Sequence, residues 1–139
     1  MTLPLALSLV AALIAAALAW WAFGRIWPAA SEAALARAVI GDGRVRMPPP
    51  WQCAAAAGAL VVVAAWPWVI VARPDSQLVL IGSVVIGAVF FIRGSAGYSP
   101  RWRGHFTAEP FRTRDFYLYS PFCLALGVGF IALLTREMR

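Results

Sequence analysis

Lysine is absent from this chain, histidine occurs once and cysteine twice. Each scarcity closes off a class of chemistry. The single imidazole, His105, cannot make a bis-histidine haem site, and it lies outside every apolar run, where a pigment would need its ligand. Cys53 and Cys123 form no CxxC or other metal spacing. Both sit inside apolar runs at different depths, which reads as two inert, unpaired thiols. Charge is scarce as well: 13 % of residues are charged, against about 25 % in a soluble domain. Four stretches hold no Asp, Glu, Arg or His at all: Leu3–Gly24, Trp51–Ala72, Gln77–Ile92 and Phe116–Leu134. Proton relays, ion sites and carboxylate dyads have no residues to build them there. No glycine-rich phosphate loop is present, since "GDGRVR" follows no strand and "RGSAGY" follows an apolar run.

What the chain has in excess is apolar surface. Hydrophobic residues make up 62 % of 139 residues, more than a soluble domain of this size can bury. The longest apolar runs would extend ~33 Å as helices and the shortest ~24 Å, against a hydrocarbon core of roughly 30 Å. The sequence therefore predicts an all-α integral membrane bundle of four transmembrane helices forming one domain, with spans near 3–24, 51–72, 75–92 and 115–134. The third is the shortest, and needs either Pro74–Ser76 as a first turn or a local thinning of the bilayer. The first run has no positive n-region and ends in Trp-Trp instead of a small-x-small cleavage site, so it is expected to stay as a helix.

Four spans put the two long loops, 25–50 and 93–115, on one side and both termini on the other. Nine arginines lie on the loop side and three, Arg73, Arg136 and Arg139, on the terminal side. By the positive-inside bias the loops are expected in the cytoplasm and the termini outside. Tryptophans agree: Trp20, Trp21, Trp27 and Trp51 fall at the loop-side boundary, Trp66 and Trp68 near the opposite one. Together with Arg93, Arg101, Trp102, Arg103, Arg112 and Arg114, these are the residues expected to contact headgroups or partner subunits.

Within the first loop, "PAASEAALARAVIGDG" predicts a short interfacial helix, with Ser31 as N-cap, Glu32 in the first turn, Leu35 and Val39 on one face and Gly41 as stop. Tyr98–Pro100 and Tyr119–Pro121 both read Tyr-Ser-Pro, a helix-start signal. For the fourth span the preferred reading is a helix from Asp115 bent at Pro121. Pro67 is expected to bend the second span similarly. Small residues at four-residue spacing, Ala12/Ala16, Ala55/Ala59, Ser83/Gly87 and Ala125/Gly129, favour close helix packing.

His105 with Glu109 and Asp115 is the one grouping that could carry acid–base or metal chemistry, but it lacks a second histidine or a nearby cysteine. Arg93 and Asp115 bracket the second loop and are expected to pair at the membrane interface, contributing little if exposed. Interleaved arginines and aromatics superficially fit nucleic acid. Anionic lipids already account for them, so no nucleic-acid partner is expected.

"WAFGRIWP" (Trp21–Pro28), "FFIRGSAGY" (Phe90–Tyr98) and "FRTRDFYLYSPFCLALG" (Phe111–Gly127) resemble a family of small bacterial four-helix membrane proteins known only as a domain of unknown function. The resemblance implies the four-span fold and a bacterial inner-membrane location, and transfers no activity. With no buried chemistry, the expected role is a non-catalytic accessory subunit of a larger membrane assembly, energy-transducing complexes (photosynthetic or respiratory) ranking first. The expected partners are the bilayer and other integral membrane subunits, with no cofactor. The alternative is a small membrane protein that holds a lipid, quinone or pigment tail between its helices.

Overall fold

The structure, a computed structural model, describes residues 1–139. It contains helices and no strands: α1 (Thr2–Ala22), α2 (Glu32–Val39), α3 (Pro50–Ala72), α4 (Gln77–Ala96), α5 (Pro100–His105), α6 (Phe111–Arg114), a π-helical turn (Asp115–Tyr119) and α7 (Ser120–Glu137). The last three run on as one helix, Phe111–Glu137, which with α1, α3 and α4 makes four helices long and apolar enough to cross a membrane. Their mean hydropathy lies between 1.9 and 2.3, so transfer into lipid is favourable for each.

The bundle is built as two antiparallel pairs. α1 packs along α3, and α4 along α7, while contact between the pairs is thin. The pairs meet mainly at the end that carries both termini and the Arg73–Ser76 turn, around Leu7, Ile70, Val79, Leu126, Phe130, Leu133 and Leu134. Phe90 stacks parallel to Phe130 there at 6.3 Å. Trp66 joins α3 to α4: its Nε1 donates to Ser83 Oγ at 3.0 Å, and that hydroxyl donates to the Val79 carbonyl at 2.7 Å. The ring also lies on Gly82, where a side chain would have no room. Trp66, expected to face the headgroup level, is thus also an interhelical tie.

Glycine sets the α4–α7 distance. A Cβ on Gly127 would sit 2.9 Å from the Gly87 carbonyl oxygen, and one on Gly94 would sit 2.8 Å from that of Ser120. Backbones touch, as helix pairs without a hydrophobic driving force require. Ser83/Gly87 is therefore a packing pair. Ala12/Ala16 and Ala55/Ala59 instead face outward, and the α1 seam uses Ala11 and Ala15 while α3 uses Cys53 and Ala57. A one-residue shift rotates a helix face by about 100°, and a run of alanines carries no contrast to fix which face wins.

Two helix starts differ from the sequence reading. α4 begins at Gln77, so Pro74–Ser76 is a turn and not a helical start; the length is recovered beyond Arg93, at Ala96. The fourth span begins at Phe111, four residues before Asp115. α3 runs through a buried Pro67 without interruption. At Pro121 the disturbance takes the form of the π-helical turn, in which the Ser120 N–H reaches the Asp115 carbonyl. Widening the preceding turn relieves the clash between a proline ring and the carbonyl four residues back. Ser120 consequently lies inside the helix, whereas Ser99 caps α5, its Oγ accepting from the Trp102 N–H at 3.2 Å.

Candidate functional site

The two long loops fold together at one end of the bundle. In the first, Ser31 Oγ accepts the Ala34 N–H at 3.1 Å and caps α2. Glu32 Oε1 accepts the Met47 N–H at 3.0 Å, tying the loop's exit to the start of the same helix. Gly41, at φ +77°, ends the segment where a side chain would be strained. Its carbonyl accepts the Ala108 N–H from the second loop at 3.1 Å, and the buried Phe111 ring lies directly on it. Tyr119 Oη donates to the Ala38 carbonyl at 3.0 Å, across 81 residues of sequence. One cap results, not two independent loops.

The second loop is fastened to the bundle by a buried carboxylate. Asp115, 2 % exposed, accepts from Arg93 Nη2 at 2.7 Å, from Trp102 Nε1 at 2.8 Å and, more weakly, from Ser120 Oγ at 3.3 Å. The Arg93 guanidinium also lies over the Trp102 ring, 4.4 Å from its centroid. The π-helical turn makes this arrangement possible by bringing residues five apart, Asp115 and Ser120, onto one face. Gly97 is needed because a methyl group there would overlap Ser120 Oγ. Alongside, Tyr98 Oη donates to the Phe116 carbonyl at 3.2 Å, and Arg103 lies over the Phe116 ring at 4.8 Å. The expected Arg93–Asp115 pair is formed, but not at an exposed interface: the aspartate is buried and α4 carries Arg93 one turn inside its end. A buried pair broken on one side is costly, unlike an exposed one.

The other residues singled out by sequence are spread around this end. Trp20, Trp27 and Trp51 are exposed, and the Trp21 Nε1 donates to the Trp27 carbonyl at 3.1 Å. Arg25 lies over Trp20 at 5.4 Å. Trp68 is exposed towards the opposite end of α3. Arg101, Arg112 and Arg114 are exposed with no carboxylate within ion-pair distance. His105 is exposed and meets the Phe106 ring edge-on at 4.7 Å. It is not brought together with Glu109 and Asp115, and no three His, Cys, Asp or Glu side chains converge. Cys53 and Cys123 are unpaired. In the first loop Arg44 reaches Asp42 at 2.6 Å, and the guanidinium holds that carboxyl below its ordinary value while its own is raised.

Between the end of α1, α2 and α6 the cap leaves a crevice of about 670 Å³. Trp21, Leu35, Val39 and Tyr119 give it apolar walls, and Arg37, Arg114 and Glu109 give it charge. Trp21 and Pro28 also border a second, apolar groove of about 420 Å³ that descends α1 past Ala17 and Ala16 to Leu13. A third groove, about 540 Å³, runs between α4 and α7 on the outer wall, with Gly87, Ala88 and Gly127 between flanking Val84, Phe91 and Val128.

Sequence reasoning did not single out Ser120, Gly97 or Phe111 as parts of one centre. The available signal was a lone aspartate six residues before a proline, with Gly94 and Gly97 one turn apart beside Arg93. No curated protein and no solved structure matches the chain. Residues 10–130, which contain the whole cap and most of all four spans, match the family described as protein of unknown function (DUF3995). The chain is a four-helix membrane protein that belongs to this family.

Proposed function

We propose that this protein is a non-catalytic accessory subunit of a larger assembly in the bacterial inner membrane, its arginine-rich cap in the cytoplasm and both termini outside. The observation that carries the reading is the groove between α4 and α7. Its floor is made of Gly87, Ala88 and Gly127 and its flanks only of apolar side chains. Small residues let a neighbouring helix approach closely, which is how helices associate where lipid is as apolar as they are. The occupant proposed is a transmembrane helix of another subunit.

Two further features support it. Only 24 of the 139 residues are buried within the chain itself, and the two helix pairs touch thinly, so much of the packing surface faces outward. Two interior polar groups are held by the chain, since Asp115 has three donors and Ser83 both accepts and donates, whereas Ser8 Oγ and Arg93 Nη1 are buried without a partner. Nine arginines on the cap side against three opposite support the orientation. Photo-reactive residues placed at Val84, Phe91 and Val128 in native membranes test the proposal. They should yield one discrete protein adduct, absent when the label sits at Trp27. Lipid adducts alone at all three would contradict it.

A further inference from the structure

We infer that the crevice under the cap, together with the adjoining groove along α1 that shares Trp21 and Pro28 with it, is a binding site for a single anionic phospholipid. The inference is separate from the subunit proposal, which concerns the α4–α7 wall and shares no lining residue with this site. Its argument is one of matched depth, charge and length.

Depth comes from Trp21, near the end of α1, whose ring borders both the crevice and the groove. Indole rings favour the headgroup level, so the crevice lies where phosphates lie. Charge comes from Arg37 and Arg114, which line the crevice from α2 and α6 and have no carboxylate partner. The one acid there, Glu109, is already engaged: its Oε2 accepts the Thr113 N–H at 3.2 Å and the Thr113 hydroxyl at 2.8 Å. Those donors are neutral, so Glu109 keeps its charge and the crevice is net positive by one, with two guanidinium groups free of carboxylate partners whose planar forks suit phosphate oxygens. Length comes from the groove, which spans Leu13 to Trp21 on α1. Eight residues of helix extend ~12 Å, against roughly 15 Å for one leaflet of hydrocarbon. Acidic head above and acyl chain below are the two halves of one molecule. A zwitterionic head would bring its own cation to the same arginines, so the site favours a net-negative lipid.

Native mass spectrometry of the full chain, released from detergent and titrated with phosphatidylglycerol, phosphatidylcholine or inorganic phosphate, tests this. One phosphatidylglycerol should be retained in preference to phosphatidylcholine, and inorganic phosphate should not displace it. At about fivefold per arginine, Arg37→Gln with Arg114→Gln should weaken binding roughly 25-fold. Arg46→Gln with Arg136→Gln, the same charge change on exposed residues outside the crevice, should leave it nearly unchanged. Ala16→Phe, which fills the exposed groove without touching the cap, should also weaken phosphatidylglycerol. Equal retention of the two lipids, equal losses from the two arginine pairs, or displacement by inorganic phosphate would each overturn the inference. So would indifference to Ala16→Phe.

Discussion

Replacing Asp115 by asparagine keeps the side chain's shape and removes its charge, and the geometry sets the cost. The carboxylate accepts from Arg93 at 2.7 Å and from Trp102 at 2.8 Å through different oxygens. An amide can present an oxygen to only one of them, so the other donor faces an N–H. Losing one charge-assisted bond costs about 1.5–3 kcal/mol, and Arg93 is left without its counter-ion. Breaking a fully buried pair from one side costs roughly 3–5 kcal/mol. The Arg93 side chain keeps 30 % exposure, so water relieves part of that penalty and the expected loss is about 3 kcal/mol. Reversible unfolding of the full chain in mixed micelles reads this directly. Because the second loop is fastened here, trypsin should also cut faster at Arg101 and Arg103. A double-mutant cycle with Arg93→Gln should return a coupling of about 2 kcal/mol, since the two groups share one contact. A loss under about 1 kcal/mol, or strictly additive effects, would refute the reading of Asp115 as the fastening of the cap.

Gly97→Ala should destabilise by about 1–3 kcal/mol through overpacking against Ser120 Oγ, and adding Ser120→Ala should restore part of the loss in the same unfolding assay. Gly41→Ala should loosen the join between the loops, because φ is +77° and the Phe111 ring fills the space; faster hydrogen exchange at Ala108, whose N–H bonds the Gly41 carbonyl, would report it. Trp66→Phe with Ser83→Ala should show a coupling near 0.6 kcal/mol, the usual size for a side-chain bond between membrane helices. For Asp42 the sign runs towards acid. Arg44 lowers its carboxyl, so the contact contributes at neutral pH and is lost as pH falls through the lowered value. Asp42→Asn should therefore remove under about 1 kcal/mol at pH 7 and nothing at strongly acid pH.

The four spans were legible because uncharged runs of membrane length have few other destinations, and Ser31, Glu32 and Gly41 marked α2 by the chemistry of helix ends. Faces were less legible. In α1 and α3 consecutive alanines look alike to any periodicity, so the seam fell one residue or more from the expected one. Charge gave the Arg93–Asp115 pairing but not its burial. That depends on the helix continuing past Arg93 and on a π-helical turn whose only trace in sequence is Pro121. The two Tyr-Ser-Pro triplets diverged for the same reason: one follows a chain turn and caps a helix, while the other arrives inside a helix already begun at Phe111. The crevice draws Trp21, Arg37 and Arg114 from three separate elements, which no local pattern brings together.

Purification of the tagged full chain in mild detergent, with native molecular mass and mass spectrometry of the eluate, bears most directly on the accessory-subunit proposal. The account predicts stoichiometric co-elution with a larger integral membrane complex, and loss of that association when Val84 or Phe91 on the α4–α7 wall is replaced by tryptophan. A monodisperse peak containing this chain and lipid alone, unchanged by those replacements, would contradict it.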